Sequence, residues 1–264
     1  MKKLLFPLIA LLAVACGGKP TPKTYADHAR MTYLQGMEAL EDGDYIEATQ
    51  LFSSVKTKYP YSQFAALAEL RVGDTYYEQD QFVEAVGAYR TFVRRRPNHA
   101  EVGYAMWRIG EAFFQQRPSD FFILPPSFER DRGTTKDAVQ AYRAFLQRFP
   151  KHKKSDSARE RLLKCRRVLA DFELYVAKFY LKRDKTRASI ARLQGIVASF
   201  DDVPRRWLEA SLILLDTYTD TTLIAEDVGI PDRDAKAKAL VDAIVRKFPG
   251  TSVAKLARSK LTRR

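Results

Sequence analysis

Ala85-Val86-Gly87-Ala88-Tyr89-Arg90-Thr91-Phe92-Val93-Arg94-Arg95-Arg96-Pro97 decides how this chain folds. A small residue is followed by a large apolar one at +4, another at +7, a long side chain at +11 and Pro at +12. Steps of 4 and 3 place the first three positions on one face of a helix, and the proline stops it. The same register returns as Ala48/Phe52/Val55/Tyr59/Pro60, Ala138/Tyr142/Phe145/Phe149/Pro150, Ser189/Leu193/Ile196/Phe200/Asp201 and Ala237/Val241/Ile244/Phe248/Pro249.

Gly36, Gly73 and Gly110 recur at 37-residue steps, the first two lying twelve residues before the small position of the next helix. A glycine there implies that two helices approach closely. Gly110 precedes Ala138 by 28 residues, which locates an insertion of 16; later small positions are 51 and 48 residues apart. Such a period marks a tetratricopeptide-like (TPR) helical-hairpin solenoid, all-α, with about five repeats that cannot bury their faces singly. The expected hairpins cover 25–60, 62–97, 99–150 with an inserted loop at 116–135, 155–201 and 204–249, with a closing helix at 251–262. Residues 25–264 read as one domain.

Lys2 and Lys3 precede the apolar run Leu4 to Val14, which ends in Ala15-Cys16-Gly17-Gly18. Charged start, apolar centre and small-residue exit make residues 1–15 a secretory signal, too short for an ordinary membrane-spanning helix. Leu12-Ala13-Val14-Ala15-Cys16 resembles a bacterial lipobox, so Cys16 is the expected lipid attachment and first mature residue. Residues 16–24 then form a tether, and Gly17 after Cys16, by resemblance to bacterial lipoprotein sorting signals, implies delivery to the outer membrane. The remaining 249 residues carry a net charge of about +11, from +13 less Lys2 and Lys3. Cys165 is the only other thiol and reads as a small buried apolar residue on a helix.

Chemistry lacks its parts here. His28, His99 and His152 stand apart, and neither His-x-x-x-His, Cys-x-x-Cys, Gly-x-Ser-x-Gly nor a phosphate loop occurs. A single glutamate such as Glu111 or Glu129 could serve a glycan-cleaving site but has many simpler uses, so no enzyme, cofactor or metal is expected. The basic runs Arg94-Arg95-Arg96 and Lys151-His152-Lys153-Lys154 sit at helix ends, where cations complement the helix dipole. Export argues against nucleic acid as the partner of this positive surface and leaves acidic headgroups or an acidic protein.

The inserted segment, Gln116 to Thr135, sets Phe121, Phe122 and Phe128 among prolines and a glycine that forbid regular helix. A loop this long inside a solenoid is usually functional. Two uses stay open: a plug folded back on the repeats, or a partner-binding surface. Arg130 and Asp131 either pair to close the loop or cap the helix that begins near Thr135.

The lipobox, the five repeats, the insertion in the third, and Tyr175-Val176-Ala177-Lys178-Phe179-Tyr180 before the fourth together resemble the BamD/ComL family of outer-membrane assembly lipoproteins. Phe128-Glu129-Arg130-Asp131, followed by Ala138, Tyr142 and Phe145, is similar to that family's acidic-Arg-Asp segment and the helix after it. The resemblance implies a non-enzymatic scaffold, lipid-anchored at the periplasmic face of the outer membrane. Its C-terminal repeats would bind the periplasmic domain of a BamA-like barrel protein, and its N-terminal repeats unfolded outer-membrane proteins. Arg192 matches a family arginine at the BamA contact; Phe121, Phe122, Phe128, Arg130 and Asp131 are further expected partner contacts, and Tyr33, Tyr76 and Tyr77 an expected substrate pocket. The rival is another periplasmic TPR scaffold, such as a Tol-Pal or peptidoglycan-associated coordinator.

Overall fold

The computed structural model describes residues 24–118, 126–130, 132–220 and 231–262. Among them lie eleven α-helices: α1 Tyr25–Glu41, α2 Tyr45–Lys58, α3 Gln63–Glu78, α4 Phe82–Arg95, α5 Val102–Gln116, α6 Gly133–Arg148, α7 Ser155–Leu181, α8 Thr186–Ser199, α9 Pro204–Thr219, α10 Arg233–Lys247 and α11 Ser252–Thr262. The chain divides into two compact units, Met1–Ala68 and Glu69–Arg264, the division falling inside α3.

In the first unit Thr24 and Asp27 form a reciprocal capping box that starts α1. Gly43, with φ of 81°, supplies the left-handed turn before Asp44 caps α2 through the Glu47 amide at 3.0 Å. Gly36 on α1 meets the Phe52 ring of α2: a Cβ built there would lie 2.8 Å from Cε1. The glycine therefore makes room for an aromatic ring, and the buried face Ala48, Phe52 and Val55 follows the register of the sequence.

The second unit repeats the device. A Cβ on Gly73 would lie 2.7 Å from Tyr89, and one on Gly110 2.6 Å from Tyr142. Gly110 thus finds its aromatic partner across the insertion, and α5 and α6 pack as one hairpin. In the next hairpin the position twelve residues before Ser189 is Ala177, and the +4 residue is Leu193; both are fully buried in one cluster. Where the backbone gains a methyl, the facing side chain shrinks, so packing volume is conserved.

The C-caps of the five helices that carry the register, Tyr59, Arg96, Phe149, Phe200 and Phe248, have φ between −126° and −131° with ψ of 40–61°. Each amide still donates to the +7 carbonyl, from Val55 to Ile244. Proline at +12 disfavours the helical conformation in the residue before it, which explains four of the five. Phe200, which precedes Asp201, adopts the same geometry without that constraint.

The longer later steps have physical causes. α7 runs 27 residues where α3 and α5 run 16 and 15, and α9 and α10 are separated by residues 220–232. His99 and His152 occupy one register position, fourteen residues after the small residue. Each Nδ1 accepts a backbone amide at 3.1 Å, and each ring stands edge-on to the +7 phenylalanine. Two of the three histidines are therefore turn-building residues of the repeat.

Candidate partner-binding surfaces

On α8 the residues Ser189, Leu193 and Ile196 face the core, which turns Arg192 outward. Its guanidinium Nη1 donates to Glu173 Oε2 of α7 at 2.9 Å, with the two side chains 44% and 30% exposed. The hydrogen bond that Arg192 donates to Glu173, and then the Glu173 charge, raise the Arg192 pKa from its ordinary value. Both groups line a cavity of about 630 Å³ together with the apolar Leu169, Phe172 and Phe200 and the cationic Arg132 and Lys136.

The end of the insertion is fastened beside this cavity. Arg132 sits over Phe172, its guanidinium carbon 3.3 Å from the ring centroid, and donates to the carbonyls of Phe128 and Arg130 at 3.4 Å. Phe128 packs against Tyr175 with ring centroids 5.7 Å apart. Arg192 and the end of the insertion thus both contact α7, the first at Glu173 and the second at Phe172 and Tyr175. Phe128 and Arg130 are half-buried. Phe121, Phe122, Asp131 and Cys16 lie outside the described residues.

Tyr33 belongs to the first unit, where it is 8% exposed and packs on Phe52 and Phe64 at 5.7 and 5.5 Å. Tyr76 and Tyr77 belong to the second unit and are half-buried. Arg108 covers the Tyr77 ring at 3.8 Å, Phe82 meets its edge at 5.2 Å, and Gln115 donates to its hydroxyl at 3.4 Å.

Beside Tyr77 runs a polar network that reading the register for apolar residues does not reveal. Asp74 Oδ1 accepts from the Tyr89 hydroxyl at 2.5 Å, the Tyr104 hydroxyl at 2.9 Å and Arg108 Nε at 3.2 Å, while Arg71 pairs with its other oxygen. Arg108 reaches on to Glu78 at 2.9 Å. One repeat later the Tyr142 hydroxyl donates to Glu111 Oε1 at 2.5 Å. Burial, followed by the adjacent carboxylate, pushes Tyr89, Tyr104 and Tyr142 far above the ordinary phenol range, so all three remain donors.

The signal for this network does exist in the sequence. Gly73-Asp74 and Gly110-Glu111 face tyrosines, whereas Gly36-Met37 faces Phe52, which has no hydroxyl to satisfy. An acid follows the glycine only where the ring resting on it carries O–H. Glu111 therefore belongs to a packing network. Cys165 is buried, and burial pushes its thiol up to about 11. Among the described residues no group of three or more His, Cys, Asp or Glu is placed to hold a metal ion, and no helix is long and apolar enough to cross a membrane.

Helical hairpins in a TPR-like stack, with charged side chains at half-open surfaces, define a repeat scaffold. The chain belongs to the YfiO family, described as outer membrane lipoprotein and the family of the assembly factor BamD, whose model matches residues 25–233. It is 27% identical over 259 residues to the outer membrane protein assembly factor BamD of Neisseria meningitidis serogroup A, covering 94% of this chain and 93% of that one. The serogroup B protein is 29% identical over 226 residues, 82% and 83% of the two chains. That of Vibrio cholerae is 24% identical over 214 residues, 79% and 84%.

Proposed function

We propose that this protein is a non-enzymatic scaffold of outer-membrane β-barrel assembly, held at the periplasmic face of the outer membrane by a lipid on Cys16. Its C-terminal repeats dock on the periplasmic domain of a BamA-like barrel protein, and its N-terminal repeats receive aromatic-rich segments of unfolded outer-membrane proteins. Similarity to BamD over 94% of the chain supports the role. The observation that carries the docking assignment is Arg192: its guanidinium sits on the outer side of α8, half exposed, with one fork position on Glu173. A planar fork of this kind accepts a carboxylate in two parallel bonds, which a lysine does not reproduce.

The test is calorimetric titration of Arg192→Glu against the isolated partner domain, with circular dichroism to verify helicity. The reversed charge weakens binding by about 2–5 kcal/mol if the partner carboxylate is buried with the arginine, and far less at a solvated rim. Unchanged affinity removes Arg192 from the interface.

A further inference from the structure

The segment Tyr175-Val176-Ala177-Lys178-Phe179-Tyr180 leaves apolar surface outside the core. Leu174 and Ala177 turn inward, and Tyr175 and Phe179, one helical turn apart, project from the far side of α7 at 43% and 40% exposure. Phe128 covers one edge of the pair through its contact with Tyr175. Arg183 lies over Phe179, its guanidinium carbon 4.3 Å from the ring centroid. It belongs to the turn Lys182-Arg183-Asp184-Lys185, whose three cations are exposed and outnumber the single acid. Asp184, with φ of 57°, and the Lys185 amide, which donates to the Tyr180 carbonyl at 3.0 Å, hold this turn tight against the aromatic ridge. Lys182 and Arg183 follow the C-terminal end of α7, where the helix dipole favours them. Lys185 stands at the start of α8, which has no acidic residue in its first turn, so there the dipole opposes the charge.

We infer that this ridge rests on the surface of an anionic phospholipid bilayer. The Tyr175 and Phe179 rings lie at the boundary between headgroups and acyl chains, and Lys182, Arg183 and Lys185 lie among the phosphates. A bilayer presents phosphate and hydrocarbon as adjoining layers, and rings one helical turn from cations reach both at once. The contact of Arg183 with Phe179 keeps a cation beside a ring before the surface is met, which lowers the ordering cost. A free phosphate meets the cations and leaves the rings in water. The ridge protrudes, so a protein partner must supply a cleft lined by both acid and hydrocarbon, whereas a bilayer needs no cleft. The mature charge of about +11 adds long-range attraction to the same surface. A lipid on Cys16 would hold the chain beside such a surface, and the ridge adds to that anchor without depending on it.

The test uses the full mature chain with Cys16→Ala, so that no acyl chain contributes. It is sedimented with vesicles of phosphatidylglycerol and phosphatidylcholine in equal parts, or of phosphatidylcholine alone. Binding to the anionic vesicles and little to the neutral ones is expected, fading as salt is raised. Each surface cation contributes about five-fold, so Lys182→Gln with Lys185→Gln weakens binding about 25-fold. Lys151→Gln with Lys153→Gln removes the same charge between α6 and α7 and leaves binding nearly unchanged. Phe179→Trp puts a reporter on the ridge, against the buried Trp107 and Trp207. On anionic vesicles its emission shifts to the blue and brominated lipid quenches it, with circular dichroism verifying the helices of every variant. Equal losses from the two lysine pairs assign the binding to net charge and overturn the inference. So does vesicle binding that leaves the new indole unquenched. Failure of the chain to bind anionic vesicles overturns it as well, while the anchor is decided separately by the mass of the residue 16 N-terminus. If the Lys182 and Lys185 pair of substitutions weakens the BamA-like periplasmic domain in calorimetry and leaves vesicle binding unchanged, the ridge is a protein contact and the bilayer is wrong.

Discussion

Gly36→Ala changes one hydrogen into a methyl and should destabilise the first hairpin, even though alanine is the better helix former. A Cβ at this position lies 2.8 Å from Phe52 Cε1 and 3.0 Å from Cδ1, inside the 3.5–4.0 Å at which carbons pack favourably. Phe52 has no exposed surface, so its ring cannot withdraw toward water. Overpacking of this kind costs about 1–3 kcal/mol. Alanine recovers about 0.8–1.0 kcal/mol of helix propensity over glycine, leaving a net loss of up to about 2 kcal/mol. With Phe52→Leu in the background the obstacle is gone and only the propensity remains, so the same Gly36→Ala step turns stabilising by up to about 1 kcal/mol. The chain already uses this pairing at Ala177 and Leu193. Urea unfolding followed by circular dichroism measures the four corners of the cycle, and amide exchange of α1 shows whether the first hairpin opens alone. If Gly36→Ala has the same effect in both backgrounds within about 0.5 kcal/mol, the ring-on-glycine contact does not set the packing.

Removing one phenol hydroxyl should cost more at Tyr142 than at Tyr89. Asp74 keeps Tyr104, Arg71 and Arg108, while Glu111 keeps Arg161 at 3.8 Å. Tyr142→Phe is therefore expected to lose about 1–3 kcal/mol and Tyr89→Phe less, as read by denaturant unfolding; equal losses would contradict the network. His152 is held below its ordinary value of 6.5 by burial and then by Lys153. The unfolded chain therefore binds this proton more readily. Its contribution is complete above pH 6.5 and declines as pH falls below that value, so stability measured between pH 7.5 and 5 should drop less steeply in His152→Gln. Intact-mass analysis of the membrane-extracted protein should find Cys16 as an acylated N-terminus, and an unmodified mature N-terminus would remove the anchor. Cys16→Ala should leave helix content unchanged.

Periodicity makes the helices legible because the buried face of each hairpin reuses the same offsets, and the glycine spacing alone locates the insertion. The inward-facing phenylalanines and tyrosines at 52, 89, 92, 142 and 145 all have no exposed area. What a search for apolar repeats passes over is polar: Asp74, Arg108 and Glu111 satisfy hydroxyls on rings from other helices, a partnership set by distance in space. Glu173 and Arg132 were equally hidden, since one lies 19 residues from Arg192 and the other reaches Phe172 across 40. Tyr33, Tyr76 and Tyr77 were legible as aromatic residues of the early repeats. Tyr33 is packed into the first unit, while Tyr77 is covered by Arg108.

Affinity purification of the full-length protein from membranes of its native host tests the assembly role most directly. A large outer-membrane barrel protein with periplasmic domains should co-purify in stoichiometric amount, and be diminished by Arg192→Glu. Recovery of Tol-Pal or peptidoglycan-associated partners in stoichiometric amount, with no barrel protein, would contradict it.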